Sequence, residues 1–324
     1  MSRKVLLTGA AGFIGSHLAE ALLAHGDEVV GLDNFDDFYS PAVKRHNVRT
    51  ALANPRYAAV LGDVRSPLAV ERAFRAGPFD SVIHLAARAG VRPSLRNPAG
   101  YTDTNVSGTA VLLEAARQRG GAHFVFASSS SVYGTRSTAP FRESDPVDDP
   151  ASPYAATKRA GELLAATFHH LYDLPVTCLR FFTVYGPRQR PDMAIHRFTR
   201  LIDEDQDVEV YGDGQSQRDY TFVDDVVDGV RRALDRPRGY RIYNLGTNHT
   251  VSLTGLVDLV GARLGRTPRI VRLPDEPGDV PLTCADITLA RSELGYNPVT
   301  PLDEGIARFV HWYRKESAWL TPAH

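Results

Sequence analysis

Lys4-Val5-Leu6-Leu7-Thr8-Gly9-Ala10-Ala11-Gly12-Phe13-Ile14-Gly15-Ser16-His17-Leu18 is an apolar run, a loop with three glycines and the start of an amphipathic stretch. A short run this apolar reads as a strand buried on both faces of a parallel sheet. The glycines, spaced G-x-x-G-x-x-G, permit a tight turn and let the backbone approach a pyrophosphate whose charge then rests on the N-terminus of the next helix. Glycine triplets occur by chance, and it is the position between strand and helix that gives this one its dinucleotide-binding reading.

Moving outward, the same alternation repeats. Residues 28–32, 57–61, 81–85 and 124–127 read as further strands buried on both faces, with helical patterns between them, and 175–182 supplies a sixth strand. Long helical patterns at 104–119 and 152–172 flank the fifth. The expected fold is therefore α/β, a Rossmann-type doubly wound parallel sheet. Past Thr183 the chain turns rich in Pro and Gly, with helices expected at 221–235 and 252–264 around a strand at 241–245. This suggests a first domain over 1–182 with returns from about 221–250, and a smaller mixed α/β lobe over 183–324.

Asp33 ends the second strand. A carboxylate there can accept from both ribose hydroxyls of an adenosine and repels a 2′-phosphate, which favours NAD over NADP. Asp63, after the third strand, is placed to meet the adenine edge or to cap a helix. Tyr154 and Lys158 lie four apart on one predicted helix face, downstream of Ser128-Ser129-Ser130-Ser131. A phenol used as a base near pH 7 needs its pKa lowered by roughly 3 units, which an adjacent ammonium and an oxidised nicotinamide could supply. Lysine is rare here: Lys4, Lys44, Lys158 and Lys315 are the only ones among 37 cations. A lysine kept in mid-chain thus points to a place where a compact ammonium is needed.

Composition excludes other classes. With 324 residues, 43% hydrophobic and 23% charged, the chain is globular, and its 37 basic against 38 acidic side chains give no field for nucleic acid or an anionic membrane. Cys178 and Cys284 are too few for a disulfide framework, and the scattered histidines show no ligand spacing, so no metal is expected. No apolar stretch approaches a membrane span, and a reducing, cytoplasmic setting is expected.

Together with His84-Leu85-Ala86-Ala87, Asn105, Ser129 to Gly134, Phe181-Phe182-Thr183-Val184-Tyr185-Gly186-Pro187 and Arg218-Asp219-Tyr220, these motifs make the chain resemble, essentially end to end, an extended short-chain dehydrogenase/reductase of the nucleotide-sugar epimerase and dehydratase group. The resemblance implies NAD held along Gly9, Gly12, Phe13, Ile14, Gly15, Asp33, Asn34, Asp63, Val64, Leu85, Ala86, Ala87, Asn105, Tyr154 and Lys158. It further implies Tyr154, Lys158 and Ser129 as the catalytic group, a UDP- or dTDP-sugar between domain and lobe, and a homodimer paired through the two long helices. Dehydratases of the group carry an Asp-Glu pair where this chain has Ser130 and Ser131, and decarboxylases a Glu where it has Ser131. That departure favours C4 epimerisation.

The segment from Phe181 to Ala194 is most similar to that of UDP-glucuronate 4-epimerases, while UDP-glucose 4-epimerases usually have Asn in place of Thr183. Arg190, Thr183 and Ser130 are suited to hold a uronate carboxylate. Arg188 could compete for that role. Arg88 is expected at the substrate, and Arg218 at the diphosphate or uridine unless it merely pairs with Asp219. A UDP-glucose 4-epimerase, a UDP-glucuronate decarboxylase or a non-catalytic NAD-binding scaffold remain alternatives.

Overall fold

The computed structural model describes residues 2–136, 138–274 and 279–320. In chain order the strands are β1 (Lys4–Thr8), β2 (Glu28–Asp33), β3 (Tyr57–Leu61), β4 (Ser81–His84), β5 (His123–Ser129), β6 (Val176–Phe181), β7 (Thr183–Tyr185), β8 (Asp207–Tyr211), β9 (Gln217–Arg218), β10 (Tyr220–Phe222), β11 (Tyr240–Leu245), β12 (Val251–Ser252) and β13 (Arg269–Leu273). Seven of them form one parallel sheet in the order β11-β6-β5-β4-β1-β2-β3. The order reverses between β4 and β1, and the crevice beyond the strands' carboxyl ends at such a point is where open α/β sheets bind ligands.

The central strands are apolar because both their faces are covered: every residue of β4, β5 and β6 is buried. β3 differs from expectation. It is the last strand of the order, and Ala58, Ala59 and Leu61 are exposed, because an edge strand is covered less completely than those inside it. The helix expected over 104–119 is also not one helix. A short α-helix at Pro98–Thr102 leads into a π-helical segment at Asp103–Ser107, and only then does an α-helix run over Gly108–Gln118.

Past Thr183, β11 joins the large sheet beside β6, and helix Val223–Leu234 packs against helix Phe13–His25 of the glycine loop. β8 pairs with β13, β9 with β12 and β7 with β10, building a smaller lobe over the sheet's carboxyl ends. The junction is fixed by Asp219. Its buried carboxylate accepts the backbone N–H groups of Thr247, Asn248 and Ala285 at 2.8 to 3.0 Å.

Candidate active site

A cavity of about 630 Å³ lies between the sheet's carboxyl ends and the lobe. At one end the glycine loop forms its wall. Gly9 has φ +70°, and a Cβ there would stand 2.7 Å from Ala86 N, while a Cβ on Gly15 would stand 2.0 Å from Gly9 O. No larger residue fits at either position, and the first turn of helix Phe13–His25 is left open toward the cavity. Phe13, Ile14, Gly12 and Val64 line it as well.

Asp33 accepts from Ala11 N at 2.9 Å and Phe35 N at 2.8 Å, one bond on each oxygen, so each keeps acceptor capacity toward the cavity. Asp63 caps no helix; that role belongs to Ser66, which accepts from Ala69 N. Its carboxylate instead takes Arg65 and Asn34 Nδ2, and the hydrogen bonds from Arg65, ahead of any other cause, hold it down at about 2.

Ser129, Tyr154 and Lys158 meet where β5 ends. Ser152 caps helix Pro153–Tyr172 by accepting from Ala155 N, and Pro153 occupies its first turn, which fixes where Tyr154 emerges. Lys158 Nζ donates to Ala127 O at 2.7 Å and lies 6.0 Å from the centre of the Tyr154 ring. Burial lowers the ammonium to about 8, against the pull of Glu162 one turn further on. Burial raises the Tyr154 phenol above its ordinary value, and the nearby Ser129 hydroxyl and the charge of Arg190 only partly offset this.

On the sugar side, Ser130, Thr183, Arg88, Arg190 and Arg218 line the same cavity. Arg190 makes a two-pronged ion pair with Asp192, at 2.9 and 2.8 Å, which leaves Nη1 without an acceptor among the described residues. Arg188 does not line the cavity and pairs with Glu20 of the glycine-loop helix at 2.9 Å. Arg218 is not paired with Asp219, whose oxygens are taken by backbone, and its Nη1 donates to Gln217 O. Arg88 pairs with Asp36 at 3.1 Å. Leu85, Ala86, Ala87 and Asn34 also reach the cavity. Asn105, like Arg188, does not: it is buried behind the wall, its amide bonded to Arg88 and Thr157.

The GDP-mannose 4,6 dehydratase family model matches residues 6–309. The chain belongs to that family, a branch of the extended short-chain dehydrogenases/reductases. It is 43% identical to UDP-glucuronate 4-epimerase 1 of Arabidopsis thaliana over 98% of this chain and 78% of that one. Among solved structures it is similar to a UDP-glucuronic acid 4-epimerase of Bacillus cereus in complex with UDP-glucuronic acid and NAD, with a TM-score of 0.91, 35% identity and coverage of 96% of this chain and 99% of that one. The dTDP-glucose 4,6-dehydratase DesIV of Streptomyces venezuelae, with NAD and TYD bound, gives 0.93 at 33% identity, covering 98% and 99%. Within this family the backbone therefore does not separate epimerase from dehydratase, and the side chains at the sugar end must.

Several cavity residues carry no motif signal: Asp36, Phe38, Tyr39, Glu209, Tyr211 and Asp279. Lys44 is different, since its rarity marked it. It is buried, donates to Asp36 O and lies 4.6 Å from the Tyr39 ring centre.

Proposed function

We propose that this protein is a UDP-glucuronate 4-epimerase that interconverts UDP-glucuronate and UDP-galacturonate through a 4-keto intermediate, with NAD as resident cofactor. The observation that carries this is the sugar end of the cavity: Ser129, Ser130 and Ser131 bring three hydroxyls and no carboxylate, and Arg190 stands beside Tyr154. An elimination or a decarboxylation would call for an acid on that segment. The two UDP-glucuronate 4-epimerases named above agree with epimerisation, and Asp33 with NAD.

When bound, NAD supplies an acceptor that takes the C4 hydride and gives it back. Tyr154 takes the proton of the C4 hydroxyl, with Ser129 as relay, and gives it back to the C4 oxygen once the keto sugar has turned its opposite face to the cofactor. Lys158 holds the ammonium that favours the phenolate. Arg190 Nη1, Thr183 and Ser130 hold the uronate carboxylate, Arg88 borders the sugar, and Arg218 meets the diphosphate or uridine. Asp33 and Asn34 take the adenosine ribose, the glycine loop the pyrophosphate, and 85–87 with Val64 the rest of the cofactor.

The division of labour we infer is 1–182, with returns from about 221–250, for the cofactor and 183–324 for the nucleotide sugar. A homodimer is supported by the exposed Leu163 and Leu171 on helix Pro153–Tyr172, and a cytoplasmic setting by two free cysteines. Among the described residues no helix is long and apolar enough to cross a membrane.

Incubation with UDP-glucuronate, UDP-glucose and UDP-xylose, followed by product identification, tests the reading. Conversion of UDP-glucuronate to UDP-galacturonate without net NADH is expected, and its loss in Tyr154→Phe with NAD retained. Preference for UDP-glucose would replace it with the UDP-glucose epimerase reading.

A further inference from the structure

Beneath the cavity, five buried residues form one hydrogen-bonded line that no step above uses, its link from Thr109 to Asn105 made to the Asn105 main-chain carbonyl. Thr8 ends β1 just before Gly9, and His84 ends β4. Asn105 sits in the π-helical segment, Thr109 in the helix that follows, and Thr157 between Tyr154 and Lys158.

The direction of each bond follows from groups that have no choice. Ala86 N–H donates to Thr8 Oγ1 at 3.2 Å, and the Thr109 hydroxyl donates to the Asn105 carbonyl, which can only accept, at 2.5 Å. With its proton committed, Thr109 Oγ1 can only accept from His84 Nε2, 3.0 Å away. The ring therefore carries a proton on Nε2. Nδ1 is then the acceptor for the Thr8 hydroxyl at 2.8 Å, since the other neutral tautomer would set a ring lone pair against one on Thr109. Protonating both nitrogens would turn the Thr8 hydroxyl away from its acceptor. It would also place a cation in a pocket walled by Phe124 and Phe126 and already facing the Lys158 ammonium. Burial first, and Lys158 second, push His84 down to about 3.

From Thr109 the line continues to the catalytic helix. Asn105 Nδ2 donates to Arg88 O at 2.9 Å and to Thr157 Oγ1 at 3.0 Å, and Oδ1 accepts Arg88 N–H at 2.8 Å. The Thr157 hydroxyl donates to Tyr154 O at 2.8 Å. All partners are thus satisfied with one sense of polarity, from the glycine loop to the turn that carries the phenol.

We propose that His84 is a positioning residue: a permanently neutral imidazole, protonated on Nε2, that fixes the glycine loop relative to Tyr154 through Thr8, Thr109, Asn105 and Thr157. An epimerase must hold its phenol and its hydride acceptor in one geometry while the keto sugar turns between them, and small misplacements of reacting groups cost rate steeply. The kinetic part rests on the epimerase reading above; the tautomer does not.

Two measurements on the NAD-loaded protein test this. In 15N-histidine NMR, with the His84 signals assigned by their loss in His84→Gln, we expect the Nε2–H pattern unchanged from about pH 5 to about pH 8, a window in which an ordinary histidine titrates. An Nδ1–H pattern, or titration within that window, overturns the proposal. In kinetics, Thr109→Val removes the hydroxyl at nearly constant shape and Thr109→Ser restores it. We expect Val to lower kcat about tenfold at similar KM and NAD content, and Ser to recover most of it. A lower melting temperature with unchanged kcat would show that the line only packs the core and would overturn the positioning role. A wild type that turns over no UDP-sugar would instead sink the epimerase reading, with the NMR result standing apart from it.

Discussion

Arg190 already has a carboxylate partner in Asp192, so a uronate must either use the remaining Nη1 or displace Asp192. Either way it gains a charge-assisted contact that a glucose hydroxymethyl cannot make. Such contacts contribute about 1.5 to 3 kcal/mol, roughly ten- to a hundredfold. Arg190→Ala is therefore expected to lower kcat/KM for UDP-glucuronate by about that factor while changing UDP-glucose turnover far less. Because the C4 ketone of a uronate is β to its carboxylate, loosening the carboxylate should also release a UDP-4-keto-pentose, detectable by mass. Equal losses on both sugars would remove Arg190 from this role. The acid–base pair makes a second residue-scale prediction. Lys158 loses its proton as pH rises through about 8, and with it goes the cation that favours the Tyr154 phenolate. An alkaline fall of kcat/KM with an apparent pKa near 8 is expected; a profile that stays flat well above pH 8 would contradict it.

At the scale of elements, β5, β6 and helix Pro153–Tyr172 are joined by a buried ion pair behind the catalytic residues. Glu162 accepts from Arg180 Nε at 2.8 Å, Arg180 Nη2 at 2.9 Å and Ser128 Oγ at 2.6 Å, with both charged side chains essentially without solvent contact. Removing one charge of such a pair leaves the other uncompensated and costs about 3–5 kcal/mol. Glu162→Gln should therefore lower the melting temperature. It should also move the alkaline limb to lower pH, because the carboxylate that pulls Lys158 upward is gone. A limb that stayed in place would show the two groups to be uncoupled. The strands that carry these residues were legible in the sequence because continuous apolar runs between helical patterns admit few other readings, and the glycine loop and the Tyr154–Lys158 spacing were legible because each is local. Exposure of β3 depends on strand order, and the π-helical segment around Asn105 on tertiary bonds to Arg88 and Thr157, neither of which periodicity records. Capture of Arg190 by Asp192 and of Arg188 by Glu20 was likewise hidden, since a run of arginines does not show which acids will fold against them.

At the scale of the whole molecule, helix Pro153–Tyr172 has two opposite faces. One is pressed on the sheet and carries Lys158, Gly161, Glu162 and Ala165, and Gly161 is needed there because a Cβ would meet the Phe126 ring at 2.3 Å. The other leaves Leu163 and Leu171 more than half exposed, and at the helix's end Arg117 of the neighbouring helix Gly108–Gln118 lies over the Tyr172 ring at 4.8 Å. Leu163 and Leu171 are eight residues apart, about two turns on one side of the helix, so both can enter a single interface. Two such helix pairs meeting about a twofold axis would bury what is still exposed of them, at roughly 1 to 1.5 kcal/mol for each leucine. Because the inner face of this helix places Tyr154 and Lys158, covering its outer face would also stiffen the site. Replacing Leu163 and Leu171 together by Glu is expected to convert a dimer into a monomer in light scattering. The melting temperature should fall and cease to depend on protein concentration, because association stabilises only the folded chain. A wild type that is already monomeric at tens of micromolar, or a double variant that still dimerises, would show that this face is not where copies of the chain meet.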